Sequence, residues 1–284
     1  MPKLDLPYFD QILGVLERDP RSDLARAFKK HVHWGAYESP DTAGDSTEAY
    51  VAAAERLTRL AVDAARVRDG MRVLDVGCGF GGTVDHVNER FARVDVTGLN
   101  IDSRQLEHAR AHCTARGENR VAFVESDACA LPFGDGSFDA VLAVECIFHF
   151  ASRERFLAEV RRVLAPGGRL AITDFVLNGA RVPLLALHVA KARLSSRTPN
   201  RFYGKANAPP ITAGAYAKLA KKTGFAVAVD DDISASTLPT YAAMRRIYRD
   251  GGLSEGARTT EFLEGLARGR FVRYHVMAFE PLER

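Results

Sequence analysis

The run Val73-Leu74-Asp75-Val76-Gly77-Cys78-Gly79-Phe80-Gly81-Gly82 constrains what this chain can fold into more than any other segment. A strand-like stretch runs straight into four glycines within six positions, the pattern of a buried strand, a tight turn and the start of a helix. Glycine enters the positive-φ conformations such a turn needs, and its missing side chain lets backbone approach a ligand closely. In parallel sheets ligands bind outside the carboxyl ends of the strands, which is where this turn falls. Gly77, Gly79 and Gly82 also fit the GxGxxG spacing of dinucleotide sites, so the glycines alone leave the ligand open.

The chain around the turn alternates between two periodicities. Strands are predicted at Arg72–Val76, Val94–Asn100, Val121–Glu125, Phe138–Val144 and Arg169–Phe175, with helices near 81–90, 103–115 and 153–164 between them. An earlier helix is expected over 47–67, where Tyr50, Ala54, Leu57 and Ala61 recur at helical spacing and Asp45 and Glu48 stand ready to cap it. Asp102 and Gln105 have capping-box spacing, and Pro166-Gly167-Gly168 ends the helix before the fifth strand. Short apolar strands alternating with helices imply βαβ units and a parallel sheet. After Phe175 the rhythm breaks across 177–210, which carries Pro183, Pro199, Pro209 and Pro210. It resumes with a helix near 212–223 and strands near 225–230 and 271–279. One domain over 1–284 is expected, with an N-terminal lid extension at 1–45, a nucleotide-binding core at 70–176 and an insertion at 177–210 covering the substrate.

Composition narrows the setting. A content of 46% hydrophobic and 26% charged residues is ordinary for a globular protein, and a net charge of +3 is too small to argue for nucleic acid. No stretch reaches the roughly 18–20 apolar residues of a membrane span. The N-terminus carries charge where a signal peptide has its apolar core, so a cytoplasmic location is expected. Cys78, Cys113, Cys129 and Cys146 form no CxxC pair and no metal-ligand spacing, and are expected as reduced thiols with no metal bound.

Charge separates the candidate ligands. A pyrophosphate would be repelled by Asp75, two residues before the first glycine, whereas the cationic S-adenosylmethionine (SAM) would be favoured. A dinucleotide site also expects an acidic residue about 20 positions on to hold the ribose. Asn100 stands there; it can still bond a ribose hydroxyl, which weakens the dinucleotide reading without closing it.

These segments resemble the class I SAM-dependent methyltransferases. V-L-D-V-G-C-G-F-G-G is similar to their first motif, and V-T-G-L-N-I-D-S, E-S-D-A-C-A-L-P-F-G-D-G-S-F-D-A-V and R-R-V-L-A-P-G-G-R-L-A-I-T-D-F follow in the family's order over about residues 70–176. His31-Val-His-Trp-Gly-Ala-Tyr37 resembles an element ahead of the core in the small-molecule branch, which includes tocopherol, sterol and bacterial sugar O-methyltransferases. The resemblance implies a Rossmann-like seven-stranded α/β sheet, mostly parallel with the last strand antiparallel. It implies that Asp75, Gly77 and Gly79 line the methionine end of SAM, and that Asn100 meets the ribose. Ile101 would pack on the adenine, with Asp127 and Ala128 bonding its edge. Asn100 departs from the commoner acidic residue, Asp127 also suits a turn cap, and Ile101 also suits ordinary core.

Methyl transfer is an in-line displacement at an already activated carbon, so the protein aligns the acceptor, excludes water and manages one proton. His149, after the fourth strand, is the candidate general base toward a hydroxyl, because an imidazole titrates near operating pH. Asp174, at the end of the fifth, is the candidate for orienting it. The resemblance implies the same pair, while His149 as a structural turn residue is the competing expectation. Glu145 is either a ligand contact or a buried hydrogen-bonding partner. Tyr8, His33, Trp34 and Tyr37 form an aromatic group expected to fold over SAM or simply to pack. Between Asp174 and Asp230 the chain has no acidic residue but carries nine basic ones, among them Arg193 and Arg197, which would suit an anionic small-molecule acceptor or an acidic carrier protein, with an ordinary solvated face as the competing expectation. The competing functions are carbon or nitrogen methylation, an NAD(P)-dependent oxidoreductase and a non-catalytic SAM-binding protein. A nucleic-acid amino-methyltransferase is disfavoured because Glu145-Cys-Ile-Phe148 replaces the Asn/Asp-Pro-Pro-Tyr/Phe element.

Overall fold

The computed structural model describes residues 7–185, 202 and 208–283. Seven strands form one sheet: β1 (Arg72–Val76), β2 (Asp95–Asn100), β3 (Arg120–Glu125), β4 (Phe138–Val144), β5 (Leu164–Leu177), β6 (Phe225–Asp232) and β7 (Val272–Pro281). Their order is β3-β2-β1-β4-β5-β7-β6. β7 runs antiparallel to both neighbours, and the pairs from β3 across to β5 are parallel. The chain leaves β1 toward β2 on one side and returns to β4 on the other. That reversal opens a crevice beyond the carboxyl ends of β1 and β4, where doubly wound sheets place their ligands.

Both faces of the sheet are buried, as parallel strands require. On one face Leu74, Val141, Leu170 and Ile172 pack with Phe156, Leu157 and Val160 of α6 (Arg153–Val163), each 1% exposed or less. On the other, Val73, Val96, Ala140 and Leu142 meet Val62 of α3 (Thr47–Ala64), Val84 and Val87 of α4 (Gly82–Arg90) and Leu106 of α5 (Ser103–His112). The caps follow from small polar residues at the helix starts. Asp102 accepts from the Arg104 amide and Ser152 from the Arg155 amide. For α3 the cap is Ser46, which accepts from the Ala49 amide, rather than Asp45 or Glu48. A hydroxyl at the N-cap position reaches the free amides that those neighbours, one residue before and two after it, do not.

A second layer of helices lies over the crevice. It comprises α1 (Pro7–Arg18), α2 (Asp23–Ala27) and, after α7 (Ala213–Lys222) and a short α8 (Ser234–Thr237), the pair α9 (Thr240–Asp250) and α10 (Ser254–Arg268). Its core joins Tyr8, Phe9 and Ile12 to Leu24, Phe28, Met244, Ile247 and Tyr248, with Phe202 against Gly256. The sequence reading passed over α1, α9 and α10, although Tyr241, Met244, Ile247 and Tyr248 repeat at helical spacing. Among the described residues no helix is long and apolar enough to cross a membrane.

Candidate active site

Two cavities meet in the crevice. The first, about 750 Å³, is bounded by the glycine turn, the ends of β1, β2 and β4, and residues Tyr8–Phe9 and Lys30–His33. The second, about 370 Å³, lies under α9 and α10. Tyr8, Val32, His33 and Glu145 line both, so these four residues mark the junction.

The turn at the floor of the first cavity explains its glycines. Gly77 (φ +73°) and Gly79 (φ +53°) hold conformations that side chains resist, and a Cβ on Gly77 would stand 2.7 Å from Cys146 Cβ. The amides of Gly77 and Cys78 both donate to the Leu99 carbonyl, at 2.7 and 3.0 Å, which fastens the turn to the end of β2. Gly82 opens α4 against the ring of His31, leaving no room for a side chain.

Asp75 is the most informative polar group. It is 1% exposed, and its Oδ2 is buried with no hydrogen-bond partner among the described residues. Burial pushes its pKa up to about 7. A buried carboxylate oxygen without a donor is costly, and a cationic ligand in the cavity it lines would supply one. The residues present therefore fit the ammonium-bearing end of SAM, and Asp75 is the group that would hold it.

Asn100, Ile101, Asp127 and Ala128 line the far side of the same cavity. The Asn100 side chain is already engaged: Oδ1 accepts from the Ile101 amide (2.7 Å) and Nδ2 donates to Gln105 Oε1 (3.0 Å). Gln105, which the sequence reading did not select, thus lines the cavity beside Asn100, and its capping-box spacing from Asp102 was the available signal. Asp127 Oδ1 caps a turn through the Cys129 amide (2.8 Å), one of its two expected roles, and the residue lies on the cavity wall.

Glu145 follows β4 in the left-handed region (φ +51°), a conformation that costs a non-glycine residue about 1–3 kcal/mol. Its amide donates to the Thr173 carbonyl (3.1 Å) and hydroxyl (3.0 Å) on β5. Its carboxylate Oε2 accepts from the Trp34 amide at 2.9 Å and the Tyr274 hydroxyl at 2.5 Å. Oε1 makes no hydrogen bond to the described residues. Burial raises the pKa of this carboxyl to about 8 against those two donors, which lower it. Tyr274 was not anticipated; antiparallel pairing places it opposite Phe175, and no local motif announces it.

The segment His31–Tyr37 forms the wall between the cavities and the N-terminal layer. His33 Nδ1 donates to the Trp34 carbonyl (2.8 Å), and its Nε2 lies 3.1 Å from His31 Nδ1. Burial lowers the His33 pKa to about 3, so it is neutral. Trp34 lines the second cavity, edge-on to Phe175 and Tyr241. Tyr37 lines neither cavity; its amide donates to Ser236, anchoring the segment to α8, so its expected lid role is corrected to an anchor.

The expected catalytic pair is split. His149 lines the first cavity beside Tyr8, with ring centroids 6.3 Å apart, and burial lowers its pKa to about 4. Asp174 lines neither cavity. It is fully buried, paired with Arg153 at 3.0 Å, accepts from Tyr216, and takes its own Phe175 amide at 2.8 Å. The physical reason is strand alternation: Phe175 and Leu177 face the second cavity, so Asp174 and Val176 face the opposite side. Asp174 is a structural ion-pair partner, not the group that orients His149. Arg193 and Arg197 lie outside the described residues.

The second cavity is almost wholly apolar. Phe28, Trp34, Phe148, Phe175 and Leu177 form one side, and Tyr241, Met244, Tyr248, Leu263 and Leu266 the other. Leu185 and Pro210, at the described edges of the 177–210 insertion, complete the wall.

Comparison with known proteins agrees with this geometry. The family model of the methyltransferase domain matches residues 74–172. The chain is 34% identical over 228 residues to Methyltransferase GfsG of Streptomyces halstedii, covering 80% of this chain and 77% of that one. It is 32% identical over 233 residues to O-methyltransferase resE of Aspergillus sclerotiorum, covering 81% and 79%. Among solved structures, the [4+2]-cyclase SpnF superposes with a TM-score of 0.75 at 23% identity, covering 97% of this chain and 95% of that one, a likeness of fold.

Proposed function

The chain belongs to the class I SAM-dependent methyltransferases, and from that premise we propose that its acceptor is a hydroxyl on a predominantly apolar small molecule. The observation that carries this reading is the second cavity, a chamber of aromatic and aliphatic side chains that borders the cofactor cavity, with Tyr8, Val32, His33 and Glu145 lining both. SAM supplies an activated methyl group. The chain's own residues hold its ends, exclude water and receive a proton. Asp75, Gly77 and Gly79 hold the methionine end, Asn100 and Ile101 face the ribose and adenine, and Asp127 and Ala128 bond the adenine edge. Residues 1–45 and 177–210 act as covers for this site.

His149 is the proposed general base toward the hydroxyl. Its lowered pKa leaves the imidazole neutral, and so in the basic form, at pH 7. The anionic acceptor suggested by Arg193 and Arg197, which lie outside the described residues, is the weaker proposal, because burying an anion against the chamber's apolar wall is costly.

The test is S-adenosylhomocysteine (SAH) release with a panel of neutral hydroxylated apolar compounds, their glycosides and their phosphorylated forms. Turnover should concentrate in the neutral set. His149→Ala should lower kcat on hydroxyl acceptors by about 10²-fold or more, and an unchanged rate removes His149 from the chemistry. Exclusive methylation of amines or carbon would overturn the hydroxyl reading.

A further inference from the structure

We propose that Glu145 is the residue by which the enzyme tells SAM from its product SAH, exchanging a proton for the sulfonium charge. The proposal rests on the acceptor occupying the apolar chamber. If it does, the methyl group must be presented where the two cavities meet, and the sulfur bonded to that methyl must lie beside it. Among the described residues four line that junction, and Glu145 is the acidic one. Val32 is apolar, Tyr8 contributes a ring, and both nitrogens of His33 are engaged by Trp34 and His31.

The carboxyl is built for two charge states. Oε2 is fixed by the Trp34 amide and the Tyr274 hydroxyl, while Oε1 has no hydrogen-bond donor among the described residues. Among the described residues the groups that act on it are Tyr274 from β7, the Trp34 amide, and Asp174 from β5 with its partner Arg153 from α6, while Asp75 from β1, His33 from the N-terminal segment and His149 from the turn after β4 line the same cavity. Burial and the Asp174 charge favour the protonated acid, and the two donors oppose them. In the cofactor-free protein Glu145 is therefore largely protonated at neutral pH. A sulfonium arriving in this desolvated junction favours the carboxylate, so SAM binding releases the proton to solvent. Methyl transfer converts the sulfonium to a neutral thioether, the stabilising charge disappears, and Glu145 takes a proton back from solvent. SAH then faces a neutral acid and gains nothing from it.

Asp75 provides the internal control. It faces the ammonium end, which SAM and SAH share, so its titration affects both ligands alike. The ratio of their affinities therefore isolates Glu145.

The experiment is calorimetric titration of the full chain with SAM and with SAH from pH 6 to 8.5, each in two buffers of different ionisation enthalpy. The affinity ratio of SAM to SAH should rise about tenfold or more across that range, with more protons released by SAM than by SAH below pH 8. Glu145→Gln should flatten the ratio and abolish that difference while leaving SAH affinity within about twofold, which also shows that the variant is folded. Tyr274→Phe removes a donor to the carboxylate and should shift the rise to higher pH. A wild-type ratio that does not change with pH, or a rise that survives in Glu145→Gln, overturns the proposal. Neither outcome depends on turnover, so failure here is separate from failure of the acceptor assignment.

Discussion

The two cavities are assembled in opposite ways. The cofactor cavity takes its floor from short contiguous runs, Asp75–Thr83 and Asn100–Gln105, at the ends of consecutive strands. The second, apolar cavity gathers single residues from α1, the 31–37 segment, β5, α9, α10 and β7. The first must match a ligand with fixed charges, so it carries glycine φ angles and a carboxylate, Asp75, whose buried Oδ2 has no hydrogen-bond partner among the described residues. The second needs only apolar volume, which many combinations of side chains supply. One cavity is therefore specified by residue identity at fixed spacing, and the other by how helices from distant parts of the chain pack.

Variants that act on one region and spare the other sharpen this contrast. The largest expected effect lies in neither cavity. Asp174→Ala leaves Arg153 buried without its carboxylate and should destabilise the protein by about 3–5 kcal/mol, measured by urea unfolding. The folded fraction should keep its SAH affinity and its kcat pH profile. A selective loss of kcat in stable protein would return Asp174 to the chemistry.

Asp75→Ala should weaken SAM and SAH equally, by about 100-fold or roughly 2–3 kcal/mol, in a binding titration. It should also change the pH dependence of stability. A carboxyl whose folded pKa is raised contributes stability that is complete below its unfolded value near 4 and is lost as pH rises through 7. Cofactor-free wild type should thus lose several degrees of Tm between pH 5 and 8, and Asp75→Ala should lose fewer. The smallest effect is expected in the chamber: Met244→Trp fills volume and should raise acceptor KM about tenfold while leaving cofactor affinity within about twofold. Equal changes in both constants would mean that the two cavities are not separate sites.

The same contrast governs what was legible in the sequence. The seven-stranded, mostly parallel sheet was legible from the β1 turn and three further motifs, because each couples local conformation to ligand chemistry within a dozen residues. Gln105 was missed although it lay in view as a capping residue. Asp174 was misassigned because a strand end carries side chains on two faces, and only the packing of Arg153 and Tyr216 decides which face it takes. Tyr274 and the residues of α9 and α10 reach the site through an antiparallel pairing and a helical layer that no short motif encodes. Arg193 and Arg197 fall outside the described residues, and their role stands on composition alone.

Transfer of label from [methyl-13C]SAM to a neutral hydroxylated apolar acceptor, followed by carbon NMR of the product, tests the account most directly. It predicts one labelled methyl on oxygen per SAH released, with competitive loss of turnover when an apolar compound without a hydroxyl fills the chamber. Label on carbon or nitrogen, or turnover indifferent to such a compound, would contradict it.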